Sequence, residues 1–549
     1  MRKQKKKNLR IPFFGGVILF ITGVVGAAFH FYGVFTEDLK ELFPEKTLFL
    51  MEAHLDEDSF QQFSDIFGEG ELFKLLDEVL IQKFSFSFSN DVKPWVGSNI
   101  GVGILEEGDL VVALQFLNRK KVESFLDNFK TPLENFLVQK TDSGEIWTPE
   151  FSSNLAFGFT GKWFLIGTSQ RGIESIMNKT VSLKKSEKFQ DIFQDLPKKN
   201  TFQVYADIQT LVSVLLQSDS FTKYQPIFEA LSQTIPAMGL TVKLEEKGLM
   251  VESKFLTHKG VFSEREIQKT ENQTIPDLTN YAPNDVLFFL NGSDLYAKYL
   301  HTKTFLSDLN EQFPVIFDGI LRAQSREIFG EEFDFERDFL AKMRGQYAFL
   351  IDFENSLYPF LDFTFLTGFG GTDKEQNLSH FHEAIHFAQT RFAPKIEKVE
   401  LPDGTIREEL VSAKPEEVPI RKVEFEDRTY FTAQNPVSDK KFSYGFIDNY
   451  FVFSTHESGI KSVVSVAEKK SSNLARNLDF RDSVLFRFSP SESYGFINFT
   501  KMVSGLEVLT KLDSDSLWGK FWKSNIRNVT FARKVFPGEV FIKAIFFSR

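Results

Sequence analysis

The side chains best suited to chemistry are two histidines and a glutamate in the segment His382-Glu383-Ala384-Ile385-His386. This segment fits the H-E-x-x-H pattern of zinc hydrolases. Residues four apart lie on one face of a helix, so both imidazoles could hold Zn²⁺ while Glu383 activates water as the general base. His380 would add a third imidazole, and a carboxylate further along the chain would complete the site. The pattern therefore admits a zinc-dependent hydrolase.

Three features argue against catalysis by this segment. A pattern this short also arises by chance. The corresponding helix earlier in the chain carries Leu126 and Asp127 and no histidine, so packing alone accounts for a helix here. Residues 397–404 predict a strand and a turn rather than a second helix that would present a zinc-binding glutamate. We therefore expect His382 and His386 to be surface histidines that bind metal adventitiously at most, and we expect no catalytic, metal or cofactor site.

The composition excludes several classes of site and of protein. The chain of 549 residues contains no cysteine, which excludes disulfides, thiolate metal sites and cysteine nucleophiles. Six of its 64 lysines and arginines fall in the first ten residues, which contain no acid. The rest of the chain therefore carries 58 bases against 75 acids. This acidic body argues against a nucleic-acid-binding protein, because phosphate contacts need clustered positive charge.

Residues 11–35 contain no charged side chain and are long enough to cross a hydrocarbon core of about 30 Å as one helix. Basic residues before such a segment stay on the cytoplasmic side of the membrane. We therefore expect a basic cytoplasmic tail at 1–10, a transmembrane signal anchor at 11–35, and a single-pass protein whose body is extracytoplasmic. The alternative is a signal peptide cleaved between positions 25 and 28, where small residues cluster. The apolar stretch continues past that point to Phe35, which favours the anchor.

The body of the chain contains two similar successions of elements. Four landmarks recur in the same order: a proline before an apolar strand, a helix with an apolar stripe, a strand pair with a tight turn, and a glycine-led helix. In the first half they lie at Pro44, 122–129, 157–166 and Gly172. In the second half they lie at Pro283, 378–385, 444–453 and Gly459. The order predicts a tandem duplication.

The predicted boundaries follow from these landmarks. Extracytoplasmic repeat 1 is expected at 36–257 and extracytoplasmic repeat 2 at 276–549, with a polar linker at 258–275. Repeat 2 carries a long insertion at about 388–425. Strands outnumber helices and follow each other as hairpins, so the fold class is α+β. Each copy is expected to be a mostly antiparallel sheet domain with helices packed on one face.

Several segments of repeat 1 carry a family resemblance. They are the strand opening after Pro44, the segment Pro94-Trp95-Val96-Gly97 before paired strands, and the helix that begins at Lys120. Together with the basic tail and membrane helix, they resemble the bacterial DUF3352 domain proteins, which are functionally uncharacterised. In repeat 2, Arg344-Gly345 replaces the Trp-Val-Gly segment, so the likeness there is looser. The resemblance implies a membrane-anchored protein and supplies no active site.

These observations predict a non-enzymatic, membrane-anchored extracytoplasmic protein that is a binding or structural component of the cell envelope. Its expected contacts are the membrane, through residues 11–35, and an envelope protein or an apolar ligand. Two alternatives belong to other classes. One is the zinc-dependent envelope hydrolase that uses His382, Glu383 and His386. The other is a carrier that holds an apolar ligand between sheet and helices.

Overall fold

The computed structural model describes the greater part of the chain after residue 37. The described residues are 38–54, 87–129, 136–150, 155–216, 225–258, 278–309, 312–329, 333–343, 345–353, 361–368, 374–392, 394–402, 404–412, 414, 417, 419–434, 441–483, 493–510 and 526–548. The predicted anchor at 11–35 and residues 259–275 of the predicted linker lie outside them. No helix among the described residues combines the length and apolarity needed to cross a membrane.

The protein is a mixed structure of helices and antiparallel sheet. The strands of the first half are β1 (Thr47–His54), β2 (Val96–Leu105), β3 (Leu110–Phe116), β4 (Phe136–Thr141), β5 (Gly144–Pro149), β6 (Ala156–Thr160), β7 (Trp163–Gly167), β8 (Phe202–Ala206), β9 (Ala237–Glu245) and β10 (Gly248–Leu256). Those of the second half are β11 (Phe288–Gly292), β12 (Tyr347–Phe353), β13 (Leu361–Gly368), β14 (Pro394–Glu400), β15 (Ile406–Ser412), β16 (Ile420–Phe425), β17 (Arg428–Gln434), β18 (Lys441–Ile447), β19 (Tyr450–Ser454), β20 (Ser493–Asn498), β21 (Ile526–Phe536) and β22 (Glu539–Ser548).

Helices connect many of these strands. They are α1 (Leu39–Leu42), α2 (Arg119–Phe129), α3 (Gln170–Met177), α4 (Glu187–Phe193), α5 (Ile208–Leu215), α6 (Gln225–Thr234), α7 (Leu295–Leu309), α8 (Phe313–Phe329), α9 (Lys374–Phe392), α10 (Glu457–Ala467), α11 (Leu478–Asp482) and α12 (Phe499–Thr510). Short 3-10 or π turns lie at Phe88–Val92, Leu183–Lys185, Leu278–Asn280, Phe335–Phe339, Leu340–Lys342 and Leu474–Arg476. Both glycine-led helices predicted from the sequence are present, as α3 and α10.

Twenty of the described strands form one sheet, and β14 and β15 form a separate hairpin. The pairings run without interruption in the order β4-β5-β6-β7-β3-β2-β1-β8-β9-β10 and then β22-β21-β20-β11-β12-β13-β19-β18-β17-β16. Every one of these pairs is antiparallel. Read from the outer edge to the junction, the second half is β16-β17-β18-β19-β13-β12-β11-β20-β21-β22. Each of its strands thus has the place in the sheet that the corresponding strand of the first half, from β4 to β10, has on the other side.

The two halves of the sheet meet where β10 pairs with β22, a junction called the seam below. At its middle Glu252 lies opposite Lys543, and their side chains form an ion pair of 2.8 Å. Two residues after Glu252 on β10, Lys254 is fully buried. Its Nζ donates to Asp195 Oδ2 at 2.6 Å and lies 2.8 Å from Glu539 Oε1 on β22. Beside the backbone pairing of the two strands, the seam therefore contains charged side chains that are paired with each other.

Helices pack on both faces of the sheet, so the prediction of helices on one face is wrong. Successive side chains of a strand point to opposite faces. Along β3, Val112 and Leu114 pack with Val122 of α2, whereas Val111 packs in another cluster with Ile173 of α3. In the second half α9 and α10 likewise contribute to different clusters. The apolar run of β3 has no polar position in its middle because both of its faces are covered.

The strand pairs predicted at 157–166 and 444–453 are β6–β7 and β18–β19. In both, two residues connect the strands, and the first of them has positive φ: 54° at Gly161 and 54° at Asp448. Such turns match the twist of a hairpin, and glycine or aspartate tolerates the left-handed conformation. The first turn is Gly161-Lys162 rather than the Thr160-Gly161 that the sequence suggests, because Thr160 pairs with Trp163.

The predicted insertion in the second half contains the hairpin of β14 and β15. Ile396 and Leu410 lie opposite each other in it and are 63% and 72% exposed. Ion pairs support the hairpin, among them Lys395 Nζ to Glu417 Oε1 at 2.6 Å. Only six residues separate the end of α2 at Phe129 from the start of β4 at Phe136, so this hairpin distinguishes the second half from the first.

Candidate functional site

His382 and His386 lie on α9, so the helix predicted for the H-E-x-x-H segment is present. The ring of His382 packs edge-on against Phe431 and Tyr444, with ring centroids 4.5 Å and 5.5 Å away. His382 is therefore not a surface histidine; it lies in the apolar contact of α9 with the sheet, where α2 uses Leu126. Burial, and then the charge of His386, lowers the pKa of His382. The structure accounts for this histidine by packing.

The histidine pair has two polar atoms that the described residues do not satisfy. Nε2 of His382 and Nδ1 of His386 are buried without a hydrogen-bond partner there. Glu383 is exposed, and the side chain of His380 lies outside the described residues. Across the described ranges, no group of three or more His, Asp or Glu side chains is placed to hold a metal ion. A zinc hydrolase would have to take its third ligand from elsewhere in the chain.

A second polar cluster, which sequence reasoning missed, lies where β13 meets the start of α10. Asp362 Oδ1 accepts hydrogen bonds from Ser454 Oγ at 2.9 Å and Thr455 Oγ1 at 3.1 Å. Asp362 Oδ2 accepts one from Ser458 Oγ at 3.3 Å. A carboxylate at a helix N-terminus interacts favourably with the helix dipole. Asp362 therefore fixes the start of α10 against the sheet.

This cluster contains the residue types of a hydrolase triad but not the arrangement. In a triad the aspartate orients the histidine and the histidine contacts the serine. Here Asp362 bonds Ser454 directly, and its oxygen lies 3.6 Å from His456 Nδ1. Ser454 is also fully buried, so no substrate could reach its hydroxyl. The cluster is structural.

A cavity of about 350 Å³ opens beside α3 in the first half. Three segments surround it: the residues before β1, the turn between β2 and β3, and the end of α3 with the residues that follow. Its lining consists of Pro44, Glu45, Lys46, Leu105, Glu106, Glu107, Asp109, Arg171, Ser175, Asn178, Lys179, Thr180 and Val181. An apolar ligand would need apolar walls, whereas most of these side chains are charged or polar. We call this cavity the α3 cavity.

Most charges of the α3 cavity are paired with each other. Lys46 Nζ lies 3.1 Å from Glu106 Oε2. Arg171 forms an ion pair with Glu107, and its Nε lies 3.5 Å from Asp109 Oδ2. One guanidinium is therefore shared by two carboxylates. These pairs are exposed, so they contribute little to stability and remain accessible to a ligand.

Lys179 differs from the other two cations of the α3 cavity. It is half-buried and forms no ion pair or hydrogen bond with a described residue. Burial lowers the pKa of its ammonium group, and the charge of Glu41 raises it. Glu41 is itself held by Lys184, whose Nζ lies 2.8 Å from Glu41 Oε1. Lys179 thus brings to the cavity wall an ammonium group that forms no direct ion pair with a described carboxylate, although the charge of Glu41 favours it.

The corresponding place in the second half is nearly closed. A cavity of only about 60 Å³ lies there, lined in part by Pro283, Asp362, Ser458 and Ser462. By the equivalence of Pro44 with Pro283 and of Gly172 with Gly459, Asp285 stands for Lys46 and Ser458 for Arg171. After the helix, Ser182 corresponds to Asn473, so Lys470 stands for Lys179, and it pairs with Glu426. Two of the three cations of the α3 cavity therefore have no basic counterpart in the second half.

Comparison with known protein families agrees with the resemblance seen in the sequence. A family model described as "Protein of unknown function (DUF3352)" matches residues 14–535. The chain belongs to the DUF3352 family. The match spans nearly the whole DUF3352 chain, including the second half, where the Trp-Val-Gly segment is replaced. No curated protein matches this DUF3352 protein.

Among solved structures, this DUF3352 protein is similar to crystal forms of TP0453. Crystal form I is 8% identical, with 42% of this chain and 83% of that chain covered and a TM-score of 0.26. Crystal form III is 7% identical, with 44% and 87% covered and a TM-score of 0.26. A TM-score of this size is too low to establish a shared fold.

Glu52 of the DUF3352 protein lies in β1, and its Oε2 is buried without a hydrogen-bond partner among the described residues. Burial raises the pKa of Glu52 from 4.5 to about 7; Lys40 opposes the shift and Asp38 adds to it. The folded protein therefore keeps a proton on Glu52 at pH values where the unfolded chain has lost it. The contribution of Glu52 to the free energy of unfolding therefore falls as the pH rises from about 4.5 to 7, and it no longer changes above that range.

We expect Glu52→Gln to raise the free energy of unfolding by about 2–3 kcal/mol at pH 8 and to change it little at pH 4.5, because glutamine resembles the protonated acid. Urea unfolding followed by tryptophan fluorescence measures the difference at each pH. The exposed Glu150→Gln serves as the matched control. If the Glu52→Gln and wild-type curves stay parallel across this pH range, Glu52 is ionised in the folded protein and the assignment fails.

Proposed function

We propose that this protein is a non-enzymatic, membrane-anchored extracytoplasmic binding component of the cell envelope, built as two tandem copies of one sheet domain. The observation that carries the binding role is the α3 cavity, whose volume of about 350 Å³ lies in the range of ligand pockets. Its walls hold accessible ion pairs and one lysine, Lys179, that forms no direct ion pair with a described residue. The first copy binds, and the second copy completes the sheet.

The strand order supports the duplication. Each of the ten strands from β1 to β10 has a counterpart at the same place in the other half of the sheet. The turn between β6 and β7 and the turn between β18 and β19 share the same positive φ. Isolated bridges also correspond, since Pro44 pairs with Ser182 and Pro283 pairs with Asn473. Two unrelated domains would have no reason to share these features.

A hydrogen bond at the start of the helices supports the same proposal. Leu110 N donates to Thr168 Oγ1 at 3.0 Å, and Phe363 N donates to Thr455 Oγ1 at 2.9 Å. Both bonds tie a strand to the residue just before a glycine-led helix. At the seam, Glu252 and Lys543 occupy equivalent positions in their strands and lie opposite each other. A pseudo-twofold axis through this pair relates the two copies.

The membrane anchor rests on the sequence of residues 1–35. Six basic residues precede a charge-free stretch of spanning length, which directs the body to the extracytoplasmic side. Because the chain contains no cysteine, single cysteines can report its topology. We expect Ser471→Cys, at an exposed position of the body, to react with a membrane-impermeant maleimide in intact spheroplasts, and Lys5→Cys to react only after lysis.

The same experiment separates an anchor from a cleaved leader. An uncleaved anchor keeps the protein in the membrane pellet after alkaline carbonate extraction, and the intact mass includes residues 1–35. A soluble product that begins near position 28 would overturn the anchor. Labelling of Lys5→Cys in intact spheroplasts, with Ser471→Cys protected, would overturn the orientation.

A further inference from the structure

The charges of the α3 cavity are arranged in two unequal groups. Carboxylates outnumber cations, with four (Glu45, Glu106, Glu107, Asp109) against three (Lys46, Arg171, Lys179). The excess negative charge lies where Glu107 and Asp109 share Arg171 and where Glu45 has no ion pair with a described residue. The cation that forms no direct ion pair with a described residue is Lys179. The cavity therefore offers one place for a cation and another for an anion.

Binding of an oppositely charged group is favourable at each of these two places. A half-buried ammonium group without a partner loses hydration and gains no hydrogen bond, so an arriving anion would compensate it. Two carboxylates beside one guanidinium keep a net negative charge, so an arriving ammonium group would be attracted to them. Ser175, Asn178 and Thr180 add neutral polar side chains to the same walls.

We propose that the α3 cavity binds a small zwitterion, a molecule with an ammonium group and a phosphate or carboxylate group. Lys179 receives the anionic group, and the carboxylates around Arg171 receive the ammonium group. The proposal rests on the binding role proposed above and names the ligand class for that site. The second half, with Asp285 and Ser458 in place of Lys46 and Arg171 and a cavity of only about 60 Å³, does not bind it.

The position of the cavity in the chain makes lipid headgroups one source of such a ligand. Pro44 is the first residue of its wall and follows the end of the predicted anchor, Phe35, by nine positions. An extended chain of this length spans at most about 30 Å. The cavity therefore lies close to the membrane surface if the anchor is retained. A phosphoethanolamine headgroup and a soluble zwitterion carry the same chemistry.

The test is a titration of the full chain in maltoside detergent, which itself carries no charge. Phosphoethanolamine binding is followed by ³¹P NMR, and β-alanine binding by calorimetry. We expect at least one of the two zwitterions to bind at one site per chain. Inorganic phosphate and ethanolamine each carry only one of the two groups. Both should bind at least tenfold more weakly than the zwitterion that binds. Absence of binding by both zwitterions, or equal binding of inorganic phosphate, would overturn the proposal.

Two lysine variants make the test specific for the cavity. Lys179→Ala should weaken binding of the zwitterion at least tenfold. Lys185→Ala should change it less than twofold, because Lys185 is an exposed lysine nearby that does not line the cavity. Both variants should unfold at the wild-type urea concentration. Unchanged affinity in Lys179→Ala would assign the binding to another site and refute the proposal.

Nanodiscs distinguish the two sources of the ligand. In discs of phosphatidylethanolamine, headgroups that reach the cavity compete with the soluble zwitterion and lower its apparent affinity relative to discs of phosphatidylglycerol. Equal affinities in the two discs assign the site to soluble ligands. The maleimide labelling does not depend on this cavity, so the ligand class can fail while the anchored topology stands.

Discussion

Replacing Asp195 and Glu539 together by alanine is expected to lower the free energy of unfolding by about 3–5 kcal/mol, the cost of leaving a buried charge uncompensated. Lys254 is fully buried at the seam, and these two carboxylates are its ion-pair partners. After both are removed, the carbonyl oxygen of Asp191, 2.6 Å from Lys254 Nζ, is the acceptor that remains among the described residues. Urea unfolding of the double variant measures the loss.

The contrast between removing the acids and removing the lysine makes this prediction specific. Asp195 and Glu539 are 48% and 29% exposed, so water can solvate them when Lys254→Met takes their partner away. We therefore expect Lys254→Met to cost at least about 2 kcal/mol less than the double variant, and to recover stability when added to it. If Lys254→Met is the more damaging change, the stability of the seam comes from the ion pairs themselves and our interpretation is wrong.

The second large effect is expected for Gly459→Ala at the start of α10. A Cβ atom at this position would lie 2.5 Å from Asp362 Oδ2 and closer still to the hydroxyl oxygens of Ser454 and Thr364. Such overpacking costs about 1–3 kcal/mol, and each hydrogen bond broken at a buried carboxylate costs about 1.5–3 kcal/mol. Alanine returns about 1 kcal/mol through its helix propensity. We expect a net loss of about 3 kcal/mol in urea unfolding.

Gly172→Ala is the matched control, because Gly172 has the same place on α3. Its added Cβ would lie 3.0 Å from Asp109 Cβ and 3.3 Å from Val111 Cγ2, a contact that small shifts relieve. The gain in helix propensity then offsets most of the cost, so the change in stability should stay within about 1 kcal/mol. Equal losses in the two alanine variants would show that the buried Asp362 cluster is not what excludes a side chain at Gly459.

The sequence was sufficient to predict the local elements because their signals are local. Apolar runs broken by short turns predict β6–β7 and β18–β19, and the stripe that includes Val122 and Leu126 predicts α2. The pairing of β10 with β22 was not predictable in this way. It joins residues about 290 positions apart, and no periodicity in either strand identifies its partner. The helices on both faces of the sheet were not predicted, because an antiparallel sheet built from hairpins commonly has one face exposed to solvent.

The candidate site shows the same division. The H-E-x-x-H pattern was visible because its residues are adjacent in sequence, yet the structure places His382 in an aromatic contact. The α3 cavity combines segments around Lys46, Asp109 and Lys179, which are separated by tens of residues and share no motif. One signal was available: the second half has Asp285 and Ser458 at the positions equivalent to Lys46 and Arg171. Comparing the two halves position by position would have indicated these two cations.

The ion pair at the middle of the seam also bears on which strands cannot associate. A strand such as β10, left at the edge of a sheet, can pair with the same strand of another molecule. Two β10 strands aligned about the axis of the seam would bring Glu252 against Glu252, and two β22 strands would bring Lys543 against Lys543. Like charges directly opposite each other destabilise a strand pair. The charges thus favour pairing of β10 with β22 and disfavour pairing of β10 with β10 or of β22 with β22. They therefore disfavour dimers of incompletely folded chains.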